Sequence, residues 1–163
     1  SSFTLISTYE TEIKAVNKAI EKTLKGIDPN AYQSLLSIPG IGPVMAAGIL
    51  SEIGYIDAFK NQEALAKYAG LVWRENQSGN FQADDTPLSK AGNAYLRYYL
   101  IEATSHVKNH CGEFAAFYQK KYDEVKIHQH KRALALTARK FVRLIFGLLA
   151  NHQLYSSDRV VQA

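Results

Sequence analysis

A chain of 163 residues suits one domain with a short extension, and at 47% hydrophobic and 21% charged residues it can bury a globular core. The formal charge of +4 leans only weakly towards anionic partners, and the one cysteine, Cys111, excludes an internal disulfide and fits a reducing compartment. No apolar stretch reaches membrane-spanning length, since the best, residues 141–150, is ten residues long and holds Arg143. With no signal-peptide pattern at its start, a cytoplasmic protein is expected. The chain has no initiating Met and opens at Ser1 in mid-pattern, so part of a longer protein is expected too.

From residue 5 to about 25, Tyr9, Ile13, Val16, Ile20 and Leu24 follow 4-3-4-4 spacing along one face of an amphipathic helix. Glu10, Glu12, Lys14, Lys18 and Lys22 fall on the other face. Such a stripe forms a coiled-coil strand or lies on a core, and its few heptads leave both open. Gly26 and Asp28-Pro29-Asn30 should stop it. Residues 1–30 thus read as a separate amphipathic helix or coiled-coil end, 31–155 as the main domain and 156–163 as a frayed tail.

Between 31 and about 70, short helices alternate with the turns Pro39-Gly40-Ile41-Gly42 and Gly54-Tyr55. Residues 73–87 are polar and read as a loop or at most a short hairpin; loops of this length are usually functional or disordered. Leu96, Leu100, Ala103 and Val107 then predict the inner face of a helix over about 90–110. Phe114, Phe117, Tyr118 and Tyr122 predict a short aromatic helix, and Leu134, Ala138, Phe141, Ile145 and Leu148 a last one over about 130–149. Strand signals are nearly absent, so the fold class is all-α.

The segment Ser37-Ile38-Pro39-Gly40-Ile41-Gly42-Pro43-Val44 reads as the turn of a helix-hairpin-helix over 34–54. Ile38 and Ile41 plug the two-helix core, Pro43 suits a first helical position, and Ala46 and Ala47 allow close packing. The backbone at Gly40, Ile41, Gly42 and Val44 is the expected phosphate contact, through free amides and the helix dipole. Such a grip reads backbone rather than bases. The alternative is a hairpin that only packs protein.

Further on, Ser78-Gly79 is by composition a plain turn, and Ser89 a plain N-cap. Lys90, Asn93 and Arg97 fall at i, i+3 and i+7 and are good phosphate ligands. His128, Arg132, Arg139 and Arg143, with Lys131 and Lys140 alongside, give the last helix a basic face, either solvated or on nucleic acid. The tyrosines and Trp73 can stack on bases or sit in core and rim. His106, His110 and Cys111 have metal-like spacing but no second pair to complete zinc, and Glu75 with Asp84-Asp85 is more simply a solvated loop.

These stretches resemble the C-terminal domain of insertion-sequence transposases of the "IS one-ten" group. The residues that carry the likeness are Ser37-Ile38-Pro39-Gly40-Ile41-Gly42, Tyr68-Ala69-Gly70-Leu71-Val72, Gln77-Ser78-Gly79, and Ser89-Lys90-Ala91-Gly92-Asn93 with Leu96-Arg97. Phe117-Tyr118, Lys131, Ala133 and Ala138-Arg139-Lys140 continue it. Trp73 stands where the group often has proline, and Asp84-Asp85 where a basic residue is common.

The resemblance implies a RuvC-like DEDD domain upstream, with residues 1 to about 30 ending the linker that follows it. It implies site-specific DNA transposition guided by a structured RNA. Ser78 matches the serine that attacks the phosphodiester and holds the DNA end as phosphoserine, and Arg97 and Lys90 would stabilise the phosphorane. Lys90, Asn93, Arg132, Arg139 and Lys140 are the further DNA contacts expected. No cofactor is expected on this segment itself; Mg2+ would sit in the DEDD domain. Partners would be double-stranded DNA, the guide RNA, the DEDD domain and further copies of the chain, with no membrane, in a bacterial cytoplasm near the nucleoid. The rival readings are a non-catalytic helix-hairpin-helix DNA-binding or assembly module, and a helical oligomerisation domain.

Overall fold

The computed structural model describes residues 1–73, 77–78, 81–82 and 88–157. Among them the chain is all-helical apart from a two-residue ladder, as its periodicity predicts. Helix α1 (Ser2–Ile27) runs through Gly26 and stops at Asp28, because Asp28 and Pro29 start the next helix. The Asp28 carboxylate accepts the Ala31 N–H at 2.9 Å, and Pro29 takes a first-turn position that needs no donor. Helix α2 (Pro29–Leu36) and helix α3 (Pro43–Ile53) form a hairpin joined by residues 37–42. A 3-10 turn (Ile56–Ala58) leads to α4 (Gln62–Tyr68), capped by Asn61.

Two short strands follow α4. Strands β1 (Gln77–Ser78) and β2 (Phe81–Gln82) pair antiparallel, Ser78 opposite Phe81, and Trp73 bridges to Leu88. Helices α5 (Ala94–His110), α6 (Gly112–Asp123) and α7 (Gln129–Ala150) complete the chain. Leu96, Leu100, Ala103 and Val107 line the buried face of α5, and Ala138, Phe141, Ile145 and Leu148 that of α7. Phe114 of α6 meets Phe141 edge-on at 5.8 Å, and Tyr32, Leu35 and Ile38 close the core from α2. Leu134, expected inward, is half-buried instead.

Two expectations are corrected. Helix α5 begins at Ala94 rather than near 90, because Lys90 (φ +52°) and Gly92 (φ +134°) leave the helical region. Its N-cap is therefore Asn93, whose Oδ1 accepts the Leu96 N–H at 2.9 Å, and not Ser89. Lys90 consequently does not share a helical face with Asn93 and Arg97. Helix α1 buries no residue; Phe3, Ile6, Tyr9, Ile13 and Val16 are each at least 55% exposed, and Leu24 alone packs partly on the core. Among the described residues no helix is long and apolar enough to cross a membrane.

Candidate nucleic-acid interface

The α2–α3 turn divides into a protein-facing half and a solvent-facing half. Ile38 and Ile41 are buried, and the Ile41 N–H is spent on the Ile38 carbonyl at 3.0 Å. Gly40 (φ +94°) lies against the backbone of α5: a Cβ there would stand 3.0 Å from the His106 carbonyl group and the Val107 nitrogen. Gly40 is thus required for close approach to protein. Gly42, Pro43 and Val44 are exposed at the start of α3, and a Cβ on Gly42 would meet nothing within 4 Å. The first-turn amides of α3 have no carbonyl of their own helix to bond, so this end offers donors and the positive end of the dipole to solvent. Of the four positions expected to hold phosphate, Gly42 and Val44 are accessible, whereas Gly40 and Ile41 face inward.

Two motifs distant in sequence meet between α4 and α5. The Asn93 N–H donates to the Tyr68 carbonyl at 2.6 Å, and Asn93 Nδ2 donates to the Tyr68 hydroxyl at 3.1 Å and to Glu52 Oε2 at 2.8 Å. Both ends of the Asn93 amide are therefore engaged within the protein. Gly92 makes room for this contact, since a Cβ there would fall 2.3 Å from the Tyr68 carbonyl oxygen. Arg97 Nη1 donates to the carbonyls of Ala69 at 3.2 Å and Lys90 at 3.0 Å. A guanidinium carries five N–H groups, and both of these bonds use Nη1.

The cations of α7 do not form one free face. Arg132 donates to the Lys121 carbonyl at 3.2 Å and pairs with Glu124 at 3.1 Å. The Lys121 hydrogen bond, with help from Arg132, holds the Glu124 carboxyl below its ordinary range. Lys140 pairs with Glu113 and lies over the ring of Phe117 at 4.8 Å. Arg143 Nε donates to Gln62 at 2.9 Å. Burial pulls the Arg139 guanidinium down, against the opposing charge of Glu63. Internal pairing has absorbed most of the basic face read from the sequence.

A cleft of about 500 Å³ does gather cations. It opens between the first half of α5 and the first half of α7, where the cations Lys90, Arg97 and Lys131 line it together with His130. Leu88, Tyr98, Ile101 and Leu134 give it an apolar wall, and among the described residues no carboxylate lines it. His130 Nδ1 shares a 2.7 Å hydrogen bond with the Tyr118 hydroxyl, whose pKa burial pushes up. His130 escaped the sequence reading, and Tyr98 was covered only among the tyrosines as a group, because nothing in local spacing says that α5 and α7 meet there.

Ser78 is described through its backbone pairing; its hydroxyl, expected as a nucleophile, lies outside the described part of the structure. Glu75, Gly79, Asp84, Asp85 and the tail from residue 158 lie outside it too. Among the described residues no three His, Cys, Asp or Glu side chains are grouped to hold a metal. His110 Nδ1 bonds the His106 carbonyl and Cys111 faces the Tyr155 hydroxyl at 3.1 Å.

The family model of the IS116/IS110/IS902 transposases matches residues 32–119. A transposase for insertion sequence element IS1111A from Coxiella burnetii is 31% identical over 154 residues, 92% of this chain and 39% of that protein. A probable family 20 transposase from Pseudomonas aeruginosa is 26% identical over 151 residues, 92% of this chain and 44% of that protein. A DNA ligase from Marinobacter nauticus is 34% identical over 90 residues, 50% of this chain and 12% of that enzyme. The chain spans about two fifths of the length of the two transposases.

Proposed function

This chain belongs to the IS116/IS110/IS902 transposase family, and from that premise we propose that it is the DNA-gripping, serine-bearing part of an enzyme that moves DNA by recombination. The observation that carries the reading is the exposed start of α3 above a buried Ile38–Ile41 plug. That arrangement suits a helix-hairpin-helix, which holds phosphates through backbone amides. A DNA ligase alike over half the chain is a second DNA-acting protein with a related stretch.

Ser78 is the proposed nucleophile. Its Oγ bonds to phosphorus, the ester bond to the neighbouring strand oxygen breaks, and that oxygen takes up the proton Ser78 gives away. Reversal rejoins a strand without ATP, because the phosphoserine conserves the ester bond. Arg97 and Lys90 are the groups proposed to meet the negative charge of the pentavalent phosphorus. Among the described residues no three-ligand set for Mg2+ is grouped, and the proposed holder of that ion is the DEDD domain of the longer protein. An acidic DEDD domain and a guide RNA are the proposed partners of the longer protein.

Oligomerisation is proposed through α1. Ile6, Ile13, Ile20 and Ile27 recur every seven residues, with Tyr9, Val16 and Thr23 between them at the alternate seam positions. A strict seven-residue repeat keeps an apolar seam on one face of a helix and favours a second copy as its cover. The test of the main reading is Ser78→Ala in the longer protein. Strand cleavage and the covalent protein–DNA adduct should vanish while DNA binding persists. Cleavage by that variant would remove the serine assignment.

A further inference from the structure

We propose that the α5–α7 cleft binds one unpaired nucleotide of a nucleic-acid strand, an inference that rests on the reading of this chain as a DNA-handling domain. Lys90 and Lys131 place two flexible ammonium groups at a site that, among the described residues, is lined by no carboxylate, so the described lining attracts an entering anion. Tyr98, 58% exposed on the first turns of α5, presents a ring beside Ile101 and Leu134. That pairing of cations with an aromatic and aliphatic wall is what a nucleotide needs: phosphate on the ammonium groups, base on the ring. A volume of about 500 Å³ lies within the usual range of small-ligand pockets, about 300–1,000 Å³. It has no place for a duplex whose bases stay paired and stacked.

His130 completes the site. Its Nδ1 is taken by Tyr118, which fixes the ring and leaves Nε2 as the edge available to a phosphate or a base. The cleft is distinct from the hairpin. Gly40 meets α5 at His106, eight residues beyond Tyr98, or about 12 Å along the helix at 1.5 Å per residue. The α3 start would hold duplex backbone while the cleft takes a base that has left the stack.

The test uses this chain with fluorescent oligothymidylate, oligouridylate and a short duplex, titrated at several salt concentrations. Tyr98→Ala should lose about tenfold in affinity for single strands, about 1.4 kcal/mol for one lost base stack, and Tyr98→Phe should restore it. Lys131→Gln should weaken single-strand binding and lower the salt slope by about 0.7, the value of one phosphate contact. Duplex affinity should hold in all three variants and fall instead in Val44→Glu, which separates failure of the cleft from failure of the hairpin. Tighter binding of the uridylate strand would point to RNA, and of the thymidylate strand to DNA; either supports the cleft if it depends on Tyr98. Unchanged single-strand affinity in a folded Tyr98→Ala protein, or no single-strand binding by the parent, overturns the proposal.

Discussion

Asn93 and Tyr68 are joined twice, once through backbone at 2.6 Å and once through side chains at 3.1 Å. This double link ties the start of α5 to the end of α4, and Glu52 of α3 joins it through Asn93 Nδ2. Asn93 also caps α5. Asn93→Ala should therefore cost more than a surface cap, about 1–2 kcal/mol for the cap alone and further for the orphaned Glu52 contact. Ser89→Ala should stay within about 0.5 kcal/mol, as an ordinary partly exposed change does. Denaturant unfolding of the two variants checks the ranking; equal losses would mean that Ser89 shares the capping role.

The helices were legible where one face repeats. Leu96, Leu100, Ala103 and Val107 mark the inner side of α5 without any knowledge of its neighbours. Its start was not legible, because Ser89 and Asn93 are both good caps and the choice is made by Tyr68 and Glu52, distant in the chain. The charges of α7 show the same limit. Arg132 and Lys140 read as a basic face until Glu124 and Glu113 are placed beside them by the packing of α6. Leu134 fits the apolar period of α7, yet it lines the cleft, since periodicity marks the side of a helix that faces protein and not the place where packing leaves a gap.

Gly40 and Val44 of the hairpin should separate stability from binding. Gly40→Val forces a side chain at φ +94° into the α5 backbone, so it should cost roughly 1–3 kcal/mol and lower Tm. Val44→Glu sits exposed in the first turn of α3, where an acid suits the helix dipole and repels phosphate. It should keep Tm and weaken duplex DNA of any sequence, most at low salt. Parent-like DNA affinity in Val44→Glu at low salt would leave the hairpin a purely structural element.

The seam of α1 makes a prediction about assembly. Ile13→Lys with Ile20→Lys places two charges on a helix that buries none of its residues, so the domain should remain folded. If a second copy covers that face, the parent should sediment as a dimer or larger and the double variant as a monomer, with unchanged helical content. A parent that sediments as a monomer at high protein concentration removes the seam as a self-association site.

Alkaline stability should be governed in part by Tyr155. Its hydroxyl is pushed up to about 12 by burial, by its hydrogen bond to Cys111 and by the charge of Glu113. An unfolded tyrosine titrates near 10. The folded chain therefore holds this proton longer, so stability is intact below about pH 10 and falls as pH rises from about 10 towards about 12. Burial shifts Tyr32 and Tyr118 in the same direction, so they add to the same loss. Tyr155→Phe should flatten the fall of Tm with pH above about 10 without abolishing it; an unchanged slope would rule out Tyr155 as a contributor.

The last prediction concerns cleavage by this chain alone. A serine hydroxyl attacks a phosphodiester only when a base or a metal prepares it. Among the described residues no acidic or histidine cluster could hold a metal. The histidine of the cleft has its Nδ1 already bonded to Tyr118 and is the one described histidine beside Lys90 and Arg97. Incubated with supercoiled plasmid and Mg2+, this 163-residue chain should bind and not nick, whereas a longer protein with an acidic domain and its guide RNA should cut through Ser78. If the chain alone nicks and Ser78→Ala abolishes it, the active site is complete within these residues. His130→Ala then decides the base: loss of nicking with DNA affinity kept would assign His130 to proton transfer, and no loss would place that task elsewhere on the chain.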